Sequence, residues 1–280
     1  MAQADREGEG EHQIMGPMGD TEQRRQTHGG GEAMRWLILP DIHDKLRRAN
    51  QIIEHEPHDR LLLMGDFFDD FQTGVTDAAD TASQVKQWLN SPNTTCLLGN
   101  HDMSYGWGRQ NRQLICPGYD AAKWITINAT VTNRDWQKFK LHAWLDSNKG
   151  AWLVSHAGIH PAWLAGVEPG KYREFIDRTC ADAWTCLNRG EHNFLLGRGA
   201  SRSGNQKIGG INWMDWDELI PIPGLNQLVG HTPAQSVRHK KTPTSRNICL
   251  DTHLRHYAVF DGGKLEIKSY DALARAGTAR

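Results

Sequence analysis

Five short clusters of polar residues recur along the chain. They are Asp41-Ile42-His43, Gly65-Asp66-Phe67-Phe68-Asp69, Gly99-Asn100-His101-Asp102, Ser155-His156-Ala157-Gly158 and Gly230-His231-Thr232-Pro233. Carboxylate, imidazole and amide groups without a thiolate form an oxygen and nitrogen donor set, which suits manganese, iron or zinc better than calcium. Alternation along an extended chain sends Asp41 and His43 to the same side, so both can grip one ion. If Asp66 bridges two ions, the six side chains Asp41, His43, Asp66, Asn100, His156 and His231 supply seven metal bonds. Any one cluster is weak by itself: Asp-x-His recurs by chance, Gly-Asp is commonly a turn, and most histidines are ordinary surface or core side chains. The force lies in all five occurring in order, each at the end of an apolar run.

Those runs predict the elements that must position the clusters. Trp36–Leu39, Leu61–Met64, Thr95–Leu98 and Ala151–Val154 read as buried strands, followed by strands near 227–229 and 247–250 and a hairpin around Asp261-Gly262-Gly263. Between them, Lys45–Glu54 places Leu46, Ala49, Ile52 and Ile53 on one helical face, and Ala78–Leu89, Asp135–Leu145 and Tyr172–Leu187 also read as helices. Strands alternating with helices predict an α/β architecture with at least one partly parallel sheet. In such a sheet the carboxyl ends of the strands converge on one crevice, the usual place for a ligand site.

Composition narrows the function classes. Across 280 residues, 32 Lys and Arg face 33 Asp and Glu, a formal net charge of −1, so overall charge does not indicate nucleic-acid binding. Fourteen His supply candidate ligands and proton carriers, and eleven Trp supply large core and cleft surfaces. The five cysteines, at 96, 116, 180, 186 and 249, contain no CxxC pair, which points away from a disulfide framework or zinc knuckle and towards a reducing cytoplasm. No apolar run is long enough to span a bilayer. Residues 1–34 are expected to be a disordered N-terminal tail, since positions 1–33 hold seven Gly, seven acids and no aromatic residue. Residues 35–270 read as one domain with no internal linker and 271–280 as a C-terminal tail.

The ordered clusters resemble those of the metallophosphoesterase (calcineurin-like) superfamily: Asp-x-His, Gly-Asp-x-x-Asp, Gly-Asn-His-Asp/Glu, a lone His and Gly-His. Within it the chain looks nearest the branch of Ser/Thr protein phosphatases and symmetrical diadenosine tetraphosphatases. His156-Ala157-Gly158-Ile159 resembles the latter enzymes, and Thr232-Pro233 leaves no second His after Gly230-His231. The resemblance implies two mixed β-sheets packed as a sandwich and flanked by helices. It further implies two divalent metal ions, with Mn2+ the first choice and Fe or Zn as alternatives. Asp41, His43 and Asp66 would hold the first ion; Asp66, Asn100, His156 and His231 would hold the second. His101 matches the family's catalytic His and Asp69 the carboxylate that orients it. The implied reaction is phosphomonoester hydrolysis by a hydroxide shared between the ions, with a phosphorylated small molecule, nucleotide or phosphoprotein as substrate. Hydrolysis of dinucleoside polyphosphates is the alternative, and a non-catalytic interaction module the remote one.

Three positions depart from the pattern. Asp44 stands where many relatives have Gly and is expected to cap the following helix. Asp70 replaces an Arg that binds phosphate in protein phosphatases, so Arg198 and Arg202, in a Gly-rich stretch, are the candidate substitutes. Asp251-Thr252-His253 resembles a late Asp-Thr-Gly motif and is expected to be structural. Tyr105, Trp107, Arg109 and Arg112 are expected to lie in a packed loop rather than form a base-stacking platform, and Trp213 and Trp216 in a core or cleft wall.

Overall fold

The structure, a computed structural model, describes residues 34–148 and 150–277. The N-terminal segment read as a tail lies outside the described residues, apart from Met34. In chain order the strands are β1 (Trp36–Leu39), β2 (Arg60–Leu63), β3 (Thr94–Cys96), β4 (His142–Leu145), β5 (Trp152–Ser155), β6 (Asn226–Val229), β7 (Arg238–Thr242), β8 (Ser245–Cys249), β9 (His256–Asp261) and β10 (Lys264–Ser269). They form two five-stranded sheets, ordered β10-β9-β1-β2-β3 and β4-β5-β6-β8-β7. In the first, β1, β2 and β3 are parallel and the β9–β10 hairpin adds antiparallel strands at one edge. In the second, β5, β6 and β8 are parallel and flanked by antiparallel β4 and β7. Both sheets are therefore mixed, as the resemblance implies.

The two-residue period of a strand explains how four-residue apolar runs are buried on both faces. Leu37, Leu39, Leu61 and Leu63 pack with the helices, while Ile38 and Leu62 face the second sheet and meet Trp152, Val154, Leu228 and Ile248. Full burial of each such side chain contributes about 2 kcal/mol. The outer layer on the first sheet includes α1 (Leu46–His55), which buries Ala49 and Ile52. There too lies α2 (Val75–Asn90), which packs on α4 (Ala121–Thr130).

The expected helix over Asp135–Leu145 is corrected. A capping box, with Thr132 and Asp135 satisfying each other's backbone N–H groups, starts a single turn, α5 (Asn133–Trp136), and the chain then extends into β4. His142 to Leu145 pair antiparallel with β5, so sheet hydrogen bonds outweigh the helical spacing of the apolar residues. The long helix at 172 runs to Arg189 as α6 (Tyr172–Arg189), ending at Gly190 in the left-handed conformation. Two helices not anticipated start at the third polar cluster and after a later turn: α3 (Asn100–Trp107) and α4. The segment read as a C-terminal tail carries α7 (Tyr270–Gly277), with Tyr270 and Leu273 packed on the core. No helix among the described residues is long and apolar enough to cross a membrane.

Candidate metal centre

All five polar clusters sit just beyond the carboxyl ends of parallel strands or at the helix start that follows one. Asp41 and His43 follow β1, Asp66 and Asp69 follow β2, and Asn100 and His101 open α3 after β3. From the second sheet, His156 follows β5 and His231 follows β6. Backbone hydrogen bonds lace these turns together. The amides of Ile42 and His43 donate to the Asp66 carbonyl at 3.0 and 2.8 Å, and the His231 amide donates to Asp41 Oδ1 at 2.9 Å. His43, Asp66, Asp69 and His231 all hold positive φ, between 45° and 71°, a left-handed backbone that non-glycine residues adopt at a cost. Two glycines permit the close approach: a Cβ on Gly99 would strike the Asp66 carboxylate, and one on Gly230 would strike that of Asp41.

The side chains converge as two overlapping groups. Ligand atoms of Asp41, His43 and Asp66 lie within 4.8 Å of one another, as do those of Asp66, His156 and His231, so Asp66 belongs to both. His156 Nε2 is 3.3 Å from Asp66 Oδ2 and 3.1 Å from Asn100 Oδ1, which brings the amide into the second group. The imidazoles are aimed by their other nitrogens: His43 Nδ1 donates to the Phe68 carbonyl at 3.0 Å and His156 Nδ1 to that of Met64 at 2.9 Å. Each Nε2 is thereby turned towards Asp66, 3.7 Å (His43) and 3.3 Å (His156) from its Oδ2. Asp41 Oδ2 and His231 Nε2 are buried and have no hydrogen-bond partner.

Such buried acceptors are costly unless something positive sits among them. The titration behaviour points the same way. Burial, opposed by His156 and reinforced by Asp66, pushes Asp41 up to about 6. Burial also acts on Asp66, but His156, His101 and His43 hold its carboxyl well below the usual range. Burial and the positive neighbour His156 push His231 well below an ordinary imidazole, whereas Asp66 outweighs burial at His156 and lifts it to about 9. Orphaned lone pairs, crowded acceptors and a shared carboxylate fit a pair of divalent cations held by oxygen and nitrogen ligands.

Beside this cluster, His101 Nδ1 lies 3.0 Å from Asp69 Oδ2. Asp69 Oδ1 accepts from the Tyr105 hydroxyl at 2.5 Å and sits 3.6 Å from Lys123 Nζ, an ammonium group 8% exposed. Asp102, fully buried, accepts from the amides of Asp66, Phe67 and Gly99 at 2.8 to 2.9 Å and so holds two of the site turns in register. Burial, then Asp66, pushes its carboxyl up to about 7. Tyr105, Lys123 and Asp102 were not singled out as site residues in the sequence. Asp102 had a detectable signal, since its acid falls three residues after Gly99 at a helix start. The other two are brought in only by the fold.

The cleft over these groups encloses about 760 Å³. Arg198 and Arg202 both line it. Arg202 is tied to Asp215 by a 2.8 Å ion pair, and the Arg198 guanidinium lies over the Trp213 ring, 5.3 Å from its centroid. Asp70 pairs with Lys45 at 2.6 Å, which places a third cation on the wall. Asp44 does not cap α1. Its carboxylate accepts from the Thr73 hydroxyl at 2.6 Å, and Lys45 occupies the cap position without a capping hydrogen bond from its side chain. Asp251 and His253 line the cleft as well, and burial followed by repulsion from Asp41 pushes Asp251 up to about 7. Tyr105 and Trp107 are buried and Arg109 lies over Trp124, so this stretch offers packing rather than a stacking platform; Trp213 is cleft wall.

The chain belongs to the calcineurin-like phosphoesterase family, whose model matches residues 34–235. No curated protein matches the sequence. Its fold is similar to that of a cold-active protein-tyrosine phosphatase of the psychrophile Shewanella sp., with a TM-score of 0.54 and 14% identity over 86% of this chain and 79% of that one. A protein serine/threonine phosphatase from Saccharomyces cerevisiae aligns at a TM-score of 0.46 and 16% identity, over 84% of this chain and 79% of that one. A metallophosphoesterase from Sphaerobacter thermophilus aligns at 0.37 and 13%, over 88% and 95%. The chain is thus a member of a hydrolase family with a cluster of potential metal-binding residues.

Proposed function

We propose that this protein is a dinuclear metal-dependent phosphatase hydrolysing phosphomonoesters, with residues 35–270 as its catalytic unit. The observation that carries the reading is the membership of Asp66 in two donor groups, beside the orphaned atoms Asp41 Oδ2 and His231 Nε2. Asp41, His43 and Asp66 would hold one cation, and Asp66, Asn100, His156 and His231 the other; manganese is the favoured ion, with iron or zinc as alternatives. When bound, two such ions neutralise phosphoryl oxygens and lower the pKa of water towards neutrality. His101 serves as the proton donor to the leaving oxygen. Asp69 accepts from Nδ1–H, which fixes the tautomer and leaves Nε2 to hand over the proton. Arg198, Arg202 and Lys45 supply positive charge for the phosphate. Five free thiols, four of them buried, fit a reducing cytoplasm.

The test is metal analysis followed by a substrate panel with the same metal restored. The expected result is about two manganese ions per chain and turnover of an aryl phosphate above that of its diester or of diadenosine tetraphosphate. D66N should lose both ions and fall to background turnover. A strong preference for the dinucleotide would instead assign the protein to polyphosphate hydrolysis, and retained metal in D66N would remove Asp66 as the bridge.

A further inference from the structure

A third set of donor atoms meets beside His101, and it differs in kind from the other two. Cys116 Sγ, an imidazole nitrogen of His101 and a carboxylate oxygen of Asp69 lie within 4.8 Å of one another. All three residues line the cleft, and Asp69 and Cys116 are otherwise buried. One sulfur, one nitrogen and one oxygen form a donor set that selects zinc or cadmium over manganese, because a soft thiolate adds little affinity for a hard ion.

Each donor also has an anchor outside the trio. The Ser104 hydroxyl accepts from the Cys116 amide at 3.0 Å and lies 2.9 Å from its Sγ, anchoring the Cys116 loop to α3. Tyr105 and Lys123 engage Oδ1 of Asp69, which leaves Oδ2 turned towards His101 Nδ1. His101 itself is fixed at the start of α3, where its amide donates to Asp66 Oδ1 at 2.9 Å. Little rearrangement separates this arrangement from a coordinating one, and the open cleft provides the entry path.

We propose that Asp69, His101 and Cys116 form a third, inhibitory cation site for a thiophilic dication such as Zn2+. On binding, the ion forms bonds to Sγ, Nδ1 and Oδ2, and the thiol proton and the proton between Nδ1 and Oδ2 leave to solvent. A metal-bound imidazole releases its remaining Nε2 proton much less readily than an imidazolium does, so His101 ceases to act as a proton donor. Inhibition is therefore strongest for substrates with poor leaving groups, which need that proton. The binding half of this proposal is independent of the proposed function, while the inhibitory half rests on it.

The experiment loads the full chain with manganese, then titrates zinc, with C116A and C116S alongside. The expected result is one zinc taken up with no manganese released, and inhibition greater for an alkyl than for an activated aryl phosphate. In C116A that extra zinc is lost and the half-inhibitory concentration rises by about tenfold or more. Cobalt provides a readout free of activity: wild type should show a thiolate-to-cobalt charge-transfer band that is missing from C116A. C116S, which keeps a polar partner for Ser104, guards against misfolding of the alanine variant. Absence of the band from wild type, unchanged zinc sensitivity in both variants, or release of manganese matching the zinc bound would each overturn the proposal. Failure of wild type to bind manganese or turn over phosphate before zinc is added would instead count against the proposed function, leaving the cobalt band to judge the site.

Discussion

At the scale of the residue, the division of labour around His101 gives the most direct prediction. Its Nδ1 is engaged by Asp69, and its proposed role as a donor would matter only when the leaving oxygen cannot depart as an anion. H101N should therefore lower kcat by about 10²- to 10⁴-fold for an alkyl phosphate and far less for an aryl phosphate with a good leaving group, measured side by side at one pH. Equal losses would remove His101 from that role. The residues facing the two proposed cations were legible because ligand types at strand ends repeat in a fixed order. What supports them was not. Lys123 reaches Asp69 across more than fifty positions, and Cys116 arrives at the same carboxylate from a loop whose path no periodicity encodes. Asp251 reads from the sequence as structural, since nothing in Asp251-x-His253 says that its carboxylate will be buried beside Asp41.

At the scale of the element, the strand-to-turn junctions do the positioning, and their tolerance is small. G230A should place a methyl group against the Asp41 carboxylate; the chain still folds, by circular dichroism, but binds less than one of the two expected manganese ions. Strands made of continuous apolar runs and helices with a clear buried face were legible. The region 135–145 was not, because its helical spacing is overridden by pairing of β4 with β5. The capping box that starts α5 is itself testable. Burial disfavours the charged form of Asp135, but Lys138 and Thr132 outweigh it and pull the carboxyl down to about 2. A depressed folded value stabilises above the unfolded pKa and is lost as pH falls through the folded one. With solvent screening of the pair to Lys138, whose side chain is 33% exposed, D135N should then cost about 1 kcal/mol at pH 7, roughly half that at pH 3, and little near pH 2, by denaturant melts of both proteins at each pH.

At the scale of the whole molecule, the proposed ligands are divided between the two sheets. Asp41, His43, Asp66 and Asn100 extend from the first, and His156 and His231 from the second. Between the sheets lies a continuous apolar layer, from Ile38 and Leu62 across to Val154 and Leu228. At the rim that layer gives way to carboxylates and imidazoles whose mutual repulsion and desolvation oppose closure of the sandwich. Cations seated there act across the sheet interface, so their effect should reach global stability and not only the loops that carry the ligands. A ligand present at a hundred times its dissociation constant, and bound only by the folded state, adds about 2.7 kcal/mol, which for a domain of this size corresponds to about 5–10 °C in Tm. Manganese added to metal-free protein should raise Tm by that amount, and D66N, which removes the carboxylate common to both donor groups, should show almost none of it. A Tm that does not respond in wild type would mean that the sandwich closes as well without cations, and that the orphaned atoms at the rim have some other partner.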